Sequence, residues 1–180
     1  HQELLALNRG DSPDQRKTMR QRAEKEYRDP ALGYLRSSAG HDAADPALVE
    51  GLIALYEKRP AEAVQKARIA KARAPWLYEA MILEGDALKA QYRPAFIAGR
   101  AEESLQYFRQ ADTAYQQACR VAESNSAAYM RRATLWHDYL NLMVWFKAQW
   151  DTAALDQMLA ATRSALEADP DSVKARDLLA

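Results

Sequence analysis

Residues 44–77 read ADPALVEGLIALYEKRPAEAVQKARIAKARAPWL, and this stretch decides the fold. Pro46 suits the first turn of a helix, where its missing N–H would have no partner anyway, and Asp45 before it suits the cap. The apolar spacing carries that helix to about Lys58. Pro60 opens a second helix, which ends before Pro75. Small residues stand where two antiparallel helices must approach closely: Gly51 on the first, and Ala63, Ala67 and Ala70 on the second. A bulky side chain at any of these positions would push the helices apart and leave voids.

The following segment, WLYEAMILEGDALKAQY, restarts the pattern, and Gly85 lies 34 residues after Gly51. That spacing is the tetratricopeptide period. With the glycine, the three alanines and the closing proline all in place, the chain resembles the tetratricopeptide repeat family. Ala47 stands where the family has a large residue early in the first helix, a mild departure. The resemblance implies an all-α fold, a TPR-like α-solenoid of antiparallel helix pairs.

Working outward, the later units are looser. Ala63, Ala70 and Pro75 are echoed by Ala114, Val121 and Ser126, and again by Met158, Ala165 and Pro170. The distances between these unit ends exceed the period by about 17 and then about 10 residues, so two of the units are lengthened by insertions. The first insertion covers QYRPAFIAGRAEES, a loop or an extended helix pair around Pro94 and Gly99; the second lengthens the helix from Ser126 to about Gln149. The expected helices are 13–27, 30–38, 46–58, 60–73, 76–91, 101–123, 126–149, 151–168 and 171–180. Residues 1–43 fit the repeat poorly and are assigned to an N-terminal helical cap or linker, with 44–180 as the repeat domain.

Composition agrees. Six glycines and seven prolines are few for 180 residues, helix formers dominate, and no alternating β-branched run stands between turn residues. Lys plus Arg equals Asp plus Glu at 25 each, which gives no bulk attraction for nucleic acid or an anionic membrane. Cys119 is the one cysteine, so no internal disulfide and no cysteine-based metal set is available. No apolar run approaches the roughly 20 residues of a membrane span. The chain opens on His1 without a signal-peptide pattern, and is taken as a piece of a longer protein. A cytoplasmic setting is the first expectation; the extracytoplasmic side of a membrane-anchored signalling protein is the alternative.

A narrower resemblance rests on the divergent units. APWLYEAMILEGDAL, ADTAYQQACRVAESNSAAYMRRATLWHDYLNL and LEADPDSVKA are similar to the repeat region attached to some bacterial serine/threonine protein kinases. This implies a regulatory or sensory region. The kinase core is absent from the sequence: it has no Gly-rich loop, no HRD and no DFG. No cofactor and no enzyme activity are expected.

In a solenoid of this type the first helix of each pair lines the concave face, beside its small residues. The candidate partner-binding residues are Leu48, Leu52, Leu55 and Tyr56 in the first unit and Ile82, Asp86 and Lys89 in the second. Aligning the third unit on Ala133 adds Met130, Thr134, His137 and Asp138. Apolar anchors with scattered charges suit a partner helix or an extended peptide. Relatives that grip acidic chaperone tails use cations and amides here, and Leu48 and Leu52 disfavour such a clamp. The alternative is that neighbouring helices or the inserted segment fill the groove.

Other features are weaker. The segment 135–150, LWHDYLNLMVWFKAQW, is apolar almost all round, which marks a buried helix. A sharper reading lets Trp145 and Trp150 pack on a second copy of the chain. The run 16–28, RKTMRQRAEKEYR, is basic but interrupted by Glu24 and Glu26, which favours a solvated face with Arg–Glu pairs. HDAAD at 41–45 offers His41, Asp42 and Asp45 without a second ligand set, so no metal is expected. Cys119 sits on an ordinary small-residue face and is expected in the core. The leading function is protein–protein interaction; a self-associating structural domain comes second, and a helical hydrolase using His41 and His137 third.

Overall fold

Asp45 and Pro46 start a helix as their chemistry dictates. In the computed structural model, which describes residues 12–38, 45–147 and 149–179, the Asp45 carboxylate accepts from the backbone N–H groups of Ala47 at 2.8 Å and Leu48 at 3.1 Å. This satisfies two of the donors that a helix start leaves open. The helix so capped, α3 (Pro46–Tyr56), is preceded by α1 (Pro13–Ala23), a π-helical stretch (Glu24–Arg28) and α2 (Asp29–Ser38). After it come α4 (Pro60–Arg73), α5 (Tyr78–Ile97), α6 (Ala101–Val121), α7 (Ser126–Lys147), α8 (Thr152–Ala168) and α9 (Val173–Leu179). The described residues contain no strand. The expected all-α repeat of antiparallel pairs is what the chain forms.

The small-residue positions are the tight contacts. Ala63, Ala67 and Ala70 are fully buried, as is Ala54 opposite them. A Cβ on Gly51 would lie 2.7 Å from Leu83 Cδ2 and 3.1 Å from Lys66 Cβ. A Cβ on Gly85 would lie 2.7 Å from Tyr115 Cδ1 and 2.8 Å from its Cζ. Each glycine thus lets the next layer approach to a distance that no side chain allows.

Successive helices pack side by side, and the first helices of the pairs also touch: α3 meets α5, and α5 meets α7. The second helices α4, α6 and α8 splay, leaving one cleft of about 300 Å³ between α4 and α6 and one of about 570 Å³ between α6 and α8. The first helices therefore share one face and the clefts open on the other.

Several expected boundaries are corrected. The helix expected over 76–91 runs from Tyr78 to Ile97 and carries Pro94 inside it. A proline there removes a ladder bond and costs about 3 kcal/mol. Burial of Tyr92 and Ala95 on either side of it offsets that cost. The first insertion is therefore an extended helix pair, closed by the turn at Gly99, whose φ of 76° is the left-handed conformation that glycine allows. The helix expected to reach Lys58 ends at Tyr56, because Lys58 adopts φ 63° and Arg59 N–H closes onto Ala54 O at 2.8 Å. The last helix starts at Val173 rather than 171. The helices expected as 13–27 and 30–38 abut through the π-helical stretch without a loop.

The lengthened portions have a core of their own. Phe108 packs against Tyr92, Trp136 and Tyr139, with ring centroids 5.5, 4.8 and 4.9 Å away. Tyr92 and Phe108 fall in or just beyond the first insertion and the other two on α7, so one aromatic cluster ties the extended ends of α5, α6 and α7 together.

Candidate functional site

The shared face of α3, α5 and α7 follows from the repeat: residues one turn apart on each first helix, flanking its buried small residues, line up across the array. Leu48, Leu52 and Leu55 are half-buried. Leu48 packs on the cluster of Ala47, Ala70 and Ala80, and Leu55 on the main core. Tyr56 closes α3 and is 45% exposed. Ile82 is half-buried against Met81, Ala118 and Cys119. Met130, Thr134, His137 and Asp138 are all half-buried on α7. The Thr134 hydroxyl is used up on its own helix, donating to Met130 O at 2.7 Å. His137 lies 3.3 Å from the amide nitrogen of Asn141.

The charged members of the row are engaged with each other. Lys89 Nζ sits 2.8 Å from Asp138 Oδ2. Asp86 accepts from the Tyr115 hydroxyl at 2.7 Å and faces Arg131 Nη1 at 3.3 Å. Burial raises the Asp86 carboxyl above the usual aspartate value, against the opposing pull of Arg131, Tyr115 and Lys89. Two ion pairs thus cross from α5 to α7. What the face leaves open is apolar: Leu48, Leu52, Leu55, Tyr56, Ile82 and Met130.

Sequence reasoning missed Arg131 and two buried carboxylates. Asp112 is 9% exposed and accepts from Arg132 Nε at 2.7 Å, Trp136 Nε1 at 2.9 Å and Gln116 Nε2 at 2.6 Å. Glu84, 5% exposed, takes Arg68 Nε at 2.7 Å and Lys71 Nζ. The signal was present. Helical spacing puts Asp112 on the stripe of Phe108, Ala111, Tyr115 and Cys119, and Glu84 next to Gly85, where an unpaired charge is not tolerated.

The aromatic helix divides along its length. Leu135, Leu140, Leu142 and Met143 are buried and Trp136 and Tyr139 half-buried, as a core helix requires. Beyond them Trp145 is 82% exposed, Phe146 62% and Trp150 64%. Phe146 reaches Phe96, with centroids 5.5 Å apart.

Cys119 is buried, and burial pushes its thiol up to about 11. The basic run is paired through Arg22–Glu26 at 2.7 Å, Arg28–Glu24 at 3.0 Å and Lys58–Glu24 at 2.6 Å. His41 and Asp42 lie outside the described residues; Asp45 serves as the helix cap. Among the described residues no group of His, Cys, Asp and Glu converges as a metal site would require, and no helix is long and apolar enough to cross a membrane.

No protein-family model matches the chain, and no curated protein does. Among solved structures it is similar to the crystal structure of a thermophilic TPR protein from Thermus thermophilus, at 18% identity and a TM-score of 0.55. The likeness covers 87% of this chain and 91% of the other. At that identity it speaks for the fold: a TPR-like helical repeat.

Proposed function

We propose that this chain is a protein–protein interaction module whose concave face, built by α3, α5 and α7, receives a segment of a partner protein. The observation that carries the reading is the open apolar row from Leu52 and Tyr56 to Ile82 and Met130, drawn from three first helices that the repeat brings together. Such a row suits the apolar side of a helix or extended peptide. Tyr56 is its best anchor: large, stiff and 45% exposed, with a hydroxyl that stays hydrated. The similarity of the last units to kinase-attached repeats supports a regulatory or sensory role within a larger bacterial signalling protein.

The experiment uses the chain as bait and compares captured proteins with those held by Tyr56→Ala and Leu52→Lys. A genuine groove partner loses about 1–2 kcal/mol of binding in Tyr56→Ala while the helical circular dichroism is unchanged. A partner retained equally by both variants binds elsewhere. Reversing Asp86 and Lys89 is a poor probe, because it would break the two inter-helix ion pairs.

One observation favours a second reading, self-association. Trp145 and Phe146 at the end of α7, and Trp150 just beyond it, are each exposed, and apolar surface of this kind is usually covered. Light scattering decides it: a dimer that Trp145→Ser with Trp150→Ser converts to monomer supports this reading, and a wild-type monomer refutes it.

A further inference from the structure

The cleft between α4 and α6, floored by α5, carries more positive charge than the fold uses. Glu84 lies at its floor, 5% exposed, and accepts from both Arg68 and Lys71. One cation neutralises one carboxylate, so the second is in excess. Arg109 lines the same cleft and has no carboxylate partner among the described residues. Three cations against one carboxylate leave the cleft with an excess of two positive charges. Gln110 and Gln117 also line it; each turns its amide oxygen to a cation, Arg68 at 3.2 Å and Lys71 at 3.3 Å, so that its NH₂ group remains to donate elsewhere.

We propose that this cleft is a binding site for a phosphate-type oxyanion. Like charges gathered in a concave, partly desolvated site repel one another, and an incoming dianion relieves that repulsion. A phosphate monoester carries about 1.5 to 2 negative charges near neutral pH, which matches the excess. The guanidinium fork of Arg109 fits two phosphate oxygens at once. A volume of about 300 Å³ is ample for a phosphate group. The site faces away from the concave row, so it stands apart from the groove reading.

Phosphate chemistry has two sources, a free phosphate or small ester and a phosphorylated side chain of a protein. Calorimetric titrations of the full chain with inorganic phosphate, with a phosphoserine peptide and with its unphosphorylated form separate them, at constant ionic strength against chloride. Saturable binding of inorganic phosphate, or of the phosphopeptide alone, is expected. Arg109→Gln should weaken it by about tenfold or more, the worth of a charge-assisted hydrogen bond. Equal affinity for the two phosphates identifies the free ion as sufficient, and tighter phosphopeptide binding identifies the protein source; both support the site. Arg109 is exposed and its side chain has no structural partner to lose among the described residues, so the variant should melt as the wild type does. Absence of saturable binding in both phosphate arms overturns the proposal, and so does unchanged affinity in a folded Arg109→Gln.

Discussion

Replacing Gly85 by alanine adds one methyl group and should be among the costly small changes in this chain. The new Cβ would stand 2.7 Å from Tyr115 Cδ1 and 2.8 Å from Cζ, inside the 3.0 Å that real Cβ atoms keep. The ring is fully buried, and its hydroxyl donates to Asp86 at 2.7 Å, so it is held at both ends. Alanine returns about 1 kcal/mol of helix propensity. Overpacking removes about 1–3 kcal/mol, and straining a hydrogen bond to a charged acceptor removes up to about 1.5–3 kcal/mol. The net is a loss of about 1.5–5 kcal/mol, or a fall in melting temperature of roughly 3–20 °C for a chain of this size. Gly51→Ala is the control. Its nearest neighbours are the tip of Leu83 at 2.7 Å and Lys66 Cβ at 3.1 Å, neither of them a ring held at both ends, so alanine there should cost less than at 85. Gly51→Leu, by contrast, should cost a few kcal/mol, since its branches run against Lys66 and the Ala63 carbonyl. The assay is thermal unfolding by far-UV circular dichroism. In a Tyr115→Leu background the alanine at 85 should cost measurably less, because the ring it meets is gone. Gly85→Ala as stable as wild type, or equal costs at both glycines, would refute the argument that Tyr115 sets the spacing of this layer.

Cys119, buried and with its thiol pushed up to about 11, should resist iodoacetamide at neutral pH and react fully only on unfolding; rapid native labelling would contradict its place in the core. Asp86 holds its proton to higher pH folded than unfolded, so stability should fall as pH rises from the ordinary aspartate value, 3.8, to the raised folded value. Asp86→Asn should lack that fall, as melting temperature against pH will show. Asp112→Ala should cost about 2–3 kcal/mol in chemical denaturation, since it leaves Arg132 with only Gln157 as partner and the Trp136 N–H without its acceptor. That figure is below the cost at a fully buried pair because the two side chains keep 17% and 12% of their exposure.

How far the sequence could be followed depended on whether a feature was local. Caps and breakers act within a few residues, so Asp45–Pro46 and Pro60 placed α3 and α4 correctly at their starts. Pro94 misled because its cost is local while its compensation, the burial of Tyr92 and Ala95, comes from the next layer. The concave row was legible as a set of positions, since helical period alone selects them. The pairing of Asp86 with Arg131 and Lys89 with Asp138 was not, because it depends on how α5 and α7 stand relative to each other. Hydropathy marked 135–150 as a core helix and could not say where along it burial ends; Trp145, which was also open to packing on a second copy, is 82% exposed among the described residues.

Those two ion pairs set the character of the face. They span successive first helices, and the aromatic cluster around Phe108 clamps the same helices farther along, so α5 and α7 are joined at two levels. Among the described residues no ion pair joins α3 to α5, and α3 brings to the face only Leu48, Leu52, Leu55 and Tyr56. A partner lying across all three helices therefore meets a fixed, electrically closed half and an apolar half. Its binding should draw on buried area rather than on charge, because the four charges of the two ion pairs are already satisfied and swapping partners returns little. The expected outcome is an affinity that changes by less than about threefold between low and high salt, where the Debye length falls from about 30 Å to about 3 Å. A partner whose affinity collapses over that range is held by free charges rather than by the apolar row.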